Sequence, residues 1–231
     1  MRLITAFFRG LLAAGLVLAA QPVMAGPKGQ QFAVTANLRD GGGGLVLAYV
    51  RATDGNLSTT GPVLRLSLAE GVSQLDGGGR LSTTTVSLLA GYQFVTPQVR
   101  TKIYGGLDLQ NRAFSHGGED EGSKAGARVL VQVSEGRKSD ISFNLQGSYA
   151  TTHDNYQLLA RVGWPTMGVT IGPEVSLIGS EYYDSRRLAL SVSDLRIGAL
   201  NATLRAGYAS GSDEDGTGDG AFLAFGFTQQ F

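Results

Sequence analysis

GAFLAFGFTQQF, residues 220–231, closes the chain, and its reading decides the fold. Counted back in twos from the end, Phe231, Phe227, Phe225 and Leu223 fall on one face, and Gln230, Thr228, Gly226 and Ala224 on the other. That two-residue period belongs to a β-strand. A fatty face opposite a small and polar one, kept up for about ten residues, is what a transmembrane β-barrel requires of each strand.

The other end of the chain has a different character. Arg2 and Arg9 make a basic start, residues 11–20 (LLAAGLVLAA) form an apolar run, and Val23, Met24 and Ala25 supply residues suited to a cleavage site. This pattern predicts a secretory signal peptide over residues 1–25, removed on export. A membrane-spanning helix would need about 20 apolar residues, and Gln21 and Pro22 interrupt the run too early. Residues 26–231 then make one exported domain, and no later apolar run is long enough to cross a bilayer as a helix.

Composition narrows the class further. The chain has 231 residues, 34 glycines and no cysteine, with 19 basic and 19 acidic residues. Without cysteine there is no disulfide framework and no thiolate metal site. Balanced charge gives no footprint for a nucleic-acid partner, and nothing in the sequence calls for a cofactor. Glycine without a three-residue period fits tight turns and closely approaching strands.

The rest of the chain repeats the alternation. Residues 31–39, 45–51 and 62–74 read as three strands, the second without a clear facing and the third with a doubtful far end at Glu70 and Gly71. Val86, Leu88, Ala90, Tyr92 and Phe94 line one face of a fourth. The fifth is the clearest: Val99, Thr101, Ile103, Leu107 and Leu109 oppose Arg100, Lys102, Asp108, Gln110 and Arg112. Alternation continues through residues 125–134, 141–149, 156–164, 169–177, 186–193 and 199–210. Pro173 falls inside the ninth strand. A closed barrel has no free edge to absorb a missing amide hydrogen, so a bulge or local break is expected there.

These readings give an all-β fold, a transmembrane antiparallel up-and-down barrel of twelve strands, with ten as the alternative if the first three strands are misread. Bacterial barrels of this kind have an even strand number, short periplasmic turns and longer outer loops. With the carboxy-terminus in the periplasm, the turns at Thr96-Pro97, 135–139 and Pro165 are periplasmic and short. The acidic segments 115–123 and 211–219 fall outside. Phe94, Trp164 and Phe231 gather at one rim as an aromatic girdle. Residues 53–61 are the misfit, rather long for a periplasmic turn.

The chemistry-bearing residues are the charges on the inward faces: Arg100, Lys102, Asp108, Arg112, Arg128, Arg161, Glu174, Arg187 and Arg205. Such a lumen attracts anions or lines a pore. Equally, the arginines pair with Asp108, Glu174 and neutral polar groups and fill a narrow barrel, since twelve strands lie between the filled eight and the open sixteen. His116 and His153 both fall in outer loops, and Thr152-His153-Asp154 is the one local candidate for hydrolytic chemistry, which needs a base beside a nucleophile. A solvated loop histidine is the simpler expectation. The acidic loops, with Glu119, Asp120, Glu121, Asp213, Glu214 and Asp215, match no calcium loop. Few aromatics face inward, mainly Tyr104 and Phe114, while Tyr182 and Tyr183 fall in a loop, so a stacking slide for sugars is not expected.

Longer segments carry a family resemblance. GYQFV at 91–95, YGGL at 104–107, GSYATTHDNYQLLARVGW at 147–164, IGPEVSLIGSEYYDSRRLAL at 171–190 and RAGYASGSDEDGTGDGAF at 205–222 resemble the cellulose biosynthesis protein BcsS family. The run Gly172-Pro173-Glu174, followed by Tyr183, Asp184 and Arg187, is its most specific part. The terminal Phe231 is also similar to the closing signal of Gram-negative outer-membrane proteins, with Gln229 departing from it. The family resemblance implies a role in making or exporting cellulose at the outer membrane, in contact with membrane lipid and with the secretion machinery or cellulose itself as partners. It supplies no catalytic residue. A non-enzymatic small pore or accessory surface component is the leading expectation. A generic channel for small polar or anionic solutes, and an outer-membrane lipid or glycan hydrolase using a loop histidine, are the alternatives. Asp108, Arg161, Glu174 and Arg187 are expected to form an inward ion network beside Pro173.

Overall fold

Two neighbours in the fifth strand show which way the barrel is turned. Leu107 is 66% exposed while Asp108 beside it is 0% exposed. A soluble sandwich would bury the leucine and wet the aspartate. The inversion holds around the molecule: Leu64, Leu88, Trp164, Leu188 and Tyr208 all stand exposed on the outer face. A continuous apolar belt of this kind is stable against lipid and costly against water.

The structure, a computed structural model, describes residues 28–74, 79–115, 121–135, 141–181, 183–213 and 219–231. The expected signal peptide and much of the loops around 76–79, 115–123, 135–139 and 211–219, with His116 and Tyr182, lie outside the described residues.

Twelve strands close into one antiparallel barrel, each bonded to its sequence neighbours and the first to the last. They are β1 (Gln30–Arg39), β2 (Gly42–Ala52), β3 (Gly61–Gln74), β4 (Arg80–Val95), β5 (Val99–Phe114), β6 (Gly122–Glu135), β7 (Ser142–Ala150), β8 (Asn155–Thr166), β9 (Val169–Gly179), β10 (Tyr183–Ile197), β11 (Leu200–Asp213) and β12 (Gly220–Gln230). The ten-strand alternative falls, because β1, β2 and β3 pair without interruption and β3 runs through Glu70 and Gly71 to Gln74. Tyr183, expected in a loop, begins β10. The seam is made by β1 and β12, with Gln31 opposite Gln230 and Arg39 opposite Phe222. Backbone bonds between Gln30 and Phe231, at 2.9 and 3.0 Å, finish it at the termini.

The register resolves the unclear second strand. Leu47 and Tyr49 pair with Leu68 and Leu66 of the outer face, so Ala48, Val50 and Ala52 point inward. Phe94 and Trp164 stand outward at the end where the termini lie, consistent with a girdle.

At Pro173 the ladder breaks without a bulge. The β8–β9 pairing stops after Arg161↔Glu174 and resumes at Trp164↔Ile171 in the same register. Pro173 has no N–H to give, and the gap lies opposite Val162 and Gly163. On its other side Pro173 stays in step with Leu190 of β10. The register shift sits instead in β10, between Val192 and Leu195. There Asp194 adopts a positive φ of 61°, and its carboxylate accepts a bond from Thr170 Oγ1 at 2.7 Å. Asp is among the few residues that tolerate this conformation.

Candidate functional site: the barrel lumen

Strand parity sends every second side chain of β1–β12 into the lumen, and all nine charges expected there lie on inward-facing positions. They divide into separate groups. The first is built on Asp108 of β5. Its buried carboxylate accepts from Ser87 Oγ on β4 at 2.6 Å and Arg128 Nε on β6 at 2.7 Å. Thr152 Oγ1 makes a third bond to it. Three donors around one ionised carboxylate form a satisfied, charge-assisted node.

The second group lies across β8, β9 and β11. Glu174 is bonded by Arg205 Nη1 at 3.3 Å, and Arg161 stands directly opposite Glu174 in the register. The single network expected from Asp108, Arg161, Glu174 and Arg187 is therefore two nodes. Arg187, on β10, makes an aromatic contact. It stacks over the Phe222 ring at 5.6 Å, a favourable cation–π distance. The third group holds Arg100 and Lys102 of β5, with Lys102 buried.

The lumen also contains what the charge pattern did not announce. Leu57, from the turn between β2 and β3, is buried against Val50, Ala52, Val63, Leu89, Tyr104 and Leu130. The long turn at 53–61 is long because it folds into the mouth beside the termini. Its backbone is pinned there: Leu57 N donates to Lys28 O at 2.9 Å, and Gln93 Nε2 donates to Thr59 O at 2.6 Å. Asp54 stabilises the turn by accepting from Asn56 N at 3.0 Å and Thr59 Oγ1 at 2.8 Å. These bonds hold the Asp54 carboxyl below the usual carboxylate range. Tyr104, one of the few inward aromatics expected, is part of this apolar cluster.

At the opposite mouth a cavity of about 330 Å³ is bordered by Arg39, Arg112, Arg128 and Arg187 with Gln110 and Asn155. Arg39 is held by Ser73 Oγ at 3.1 Å, and Asn155 Nδ2 donates to Gln110 Oε1 at 2.8 Å. Arg39 lies at an odd position of β1, opposite in parity to the apolar Phe32, Val34, Ala36 and Leu38, and is not among the inward charges expected from the sequence.

His153 departs from the expected solvated loop residue. It is 3% exposed, in a single 3₁₀ turn, Thr152–Asp154, that follows β7. Thr151 continues the β6 ladder through Ala127, at 2.9 and 3.0 Å, and Thr152 is drawn down to Asp108, so the turn folds over the mouth. His153 Nδ1 lies 2.6 Å from Glu181 Oε1 and 3.4 Å from Lys124 Nζ. Glu181 and Lys124 also pair with each other, Oε1 to Nζ at 3.8 Å. Among the described residues, no three His, Asp or Glu side chains gather as a metal site.

Comparison with known proteins supplies the relationships. A sequence profile described as cellulose biosynthesis protein BcsS matches residues 29–231. No curated protein matches the chain. Among solved structures, LpxR from Salmonella typhimurium is similar, with TM-score 0.52 and 12% identity over 87% of this chain and 100% of that one. A KdgM porin in complex with disordered oligogalacturonate has TM-score 0.47 and 13% identity over 87% and 99%. The translocator domain of autotransporter NalP from Neisseria meningitidis has TM-score 0.46 and 12% identity over 100% and 97%. At 12% identity the likeness to LpxR is one of fold alone.

Proposed function

The chain belongs to the cellulose biosynthesis protein BcsS family, and from that premise we propose that it serves cellulose biosynthesis in the outer membrane as a non-enzymatic accessory barrel. The observation that carries this reading is the occupied mouth at the termini. Leu57 and its turn fill one side of the lumen with apolar packing, while Asp108 holds Arg128 of the adjoining β6 and Glu174 holds Arg205 of β11, two strands along the wall. A lumen given over to its own side chains suits a component that docks or presents a surface to the secretion machinery. The exposed apolar belt supports the membrane location.

A narrow channel is the second reading. Along β6, β7, β8 and β11, Gln132, Gln146, Arg161 and Arg205 are only half-buried, as residues along a thin polar path would be. Two measurements separate the readings. Deleting the protein alters cellulose output if the first is right and leaves it unchanged if the barrel is a general solute channel. The refolded barrel in a planar bilayer gives little or no current as an accessory component, and a steady, anion-preferring current as a channel. Fractionation tests the location: recovery with inner membrane or cytosol rejects it.

A further inference from the structure

We propose that the lumen binds a small monovalent anion, of halide size, between Arg65 of β3 and Lys102 of β5, beside the turn that occupies the mouth at the termini. The site does not rest on the role in cellulose biosynthesis, since it is read on the purified barrel.

Both residues point inward. Lys102 pairs in register with Gln93 and Gln132, and Arg65 with Val50 and Leu89. Lys102 is 9% exposed and Arg65 is half-buried, and their charges act on one another. Neither makes a hydrogen bond or an ion pair among the described residues. Arg100 acts on Lys102 as well, and Arg128 on Arg65, all with the same sign. Asp108, the carboxylate further along β5, is taken by Arg128. Cations drawn away from water are costly unless an opposite charge stands against them. Among the described residues the protein supplies none to Arg65 and Lys102, and a bound anion does.

Neutral groups complete the site. Tyr104, the next inward position after Lys102, is 1% exposed, and its hydroxyl has no hydrogen-bond partner. Arg65 and Tyr104 also interact electrostatically. Ammonium, guanidinium and hydroxyl all donate, so three donor groups meet here without a charged acceptor. The unpartnered acceptor in the same row, Gln93 Oε1 opposite Lys102, is neutral.

The surroundings limit the size of the ligand. Tyr104 packs with Leu57, Val63, Leu89 and Leu130, and Gln93 Nε2 holds the neighbouring turn through Thr59 O at 2.6 Å. A ligand of many atoms would have to break that apolar cluster. A halide accepts from several donors at once and leaves the cluster intact.

The test is titration of the refolded barrel in detergent with sodium chloride, at constant ionic strength balanced by sodium gluconate, followed by the chloride NMR line width. Saturable broadening that bromide reverses is expected. Lys102→Met and Arg65→Met should each weaken chloride binding about tenfold. Tyr104→Phe, which keeps every charge, should weaken it by a smaller factor. Arg39→Gln, a lumen cation at the other mouth, should leave it unchanged. Heat-dependent mobility on a gel verifies that every variant is folded. Crystals soaked in bromide should show an anomalous peak against Lys102 Nζ. Absence of saturable broadening, or a bromide peak elsewhere in the lumen with none at Lys102, overturns the site. Equal loss with Arg39→Gln overturns it too, because a diffuse positive field then accounts for the binding.

Discussion

Asp108 is the residue on which the wall of the lumen converges. Its carboxylate is buried and takes donors from β4, from β6 and from the turn after β7. Asp108→Asn keeps the shape but removes the charge that Arg128 faces, and hydrogen bonds to charged groups contribute about 1.5–3 kcal/mol. The variant should unfold from detergent at lower urea by an amount in that range. Arg128→Ala combined with it should cost less than the sum of the two, because both remove one interaction. Asp54 makes a second prediction, outside the membrane. Its folded-state pKa lies below the unfolded value, so its contribution to the turn is present above the ordinary carboxylate range and lost as pH falls through the lowered value. The protection factor of the Asn56 amide, which donates to Asp54, should hold from neutral pH through mild acid and fall below that. Asp54→Asn should remove that fall in protection.

Among the elements, β9 shows how glycine and proline share one irregularity. A Cβ placed on Gly172 would lie 1.9 Å from the carbonyl oxygen of Val162, a backbone atom that can yield only if the strands part. Gly172→Ala should therefore destabilise by about 1–3 kcal/mol. Gly105→Ala, where nothing lies within 4 Å, is the control and should be close to neutral. Gel-shift melting of both proteins checks this. The missing amide of Pro173 lies in the same strand segment, and the gap in the β8–β9 ladder answers to it without disturbing the β9–β10 register. The sequence pointed to an irregularity at Pro173 but not to its form. Nor did it point to the β10 bulge at Asp194, because an aspartate with positive φ looks like any polar residue in an alternating strand.

For the molecule as a whole, one mouth of the lumen is occupied by a turn. Leu57 is the one large apolar side chain in a polar stretch at residues 53–61, and it is buried among six inward-facing partners. Leu57→Ala should release the turn, at a cost of about 2–5 kcal/mol, and raise the conductance of the barrel above that of the parent in a planar bilayer. Unchanged conductance with a demonstrably loosened turn would mean that the obstruction lies elsewhere in the lumen.

The sequence by itself determined the class of fold and the facing of the nine charges it singled out, with twelve strands as its leading count and ten left open. A strand's facing is local: residues i and i+2 share a side wherever the strand goes, so Leu107 and Asp108 declared their sides without knowledge of any neighbour. Tertiary structure decided the rest. Which arginine meets Asp108, how Arg39, Arg112, Arg128 and Arg187 come to share one cavity, and why a histidine at a loop position is buried, depend on register around a closed ring. Partners such as Asp108 and Thr152 stand 44 positions apart in the chain. Contacts at that separation arise from closure of the barrel, which no local period encodes.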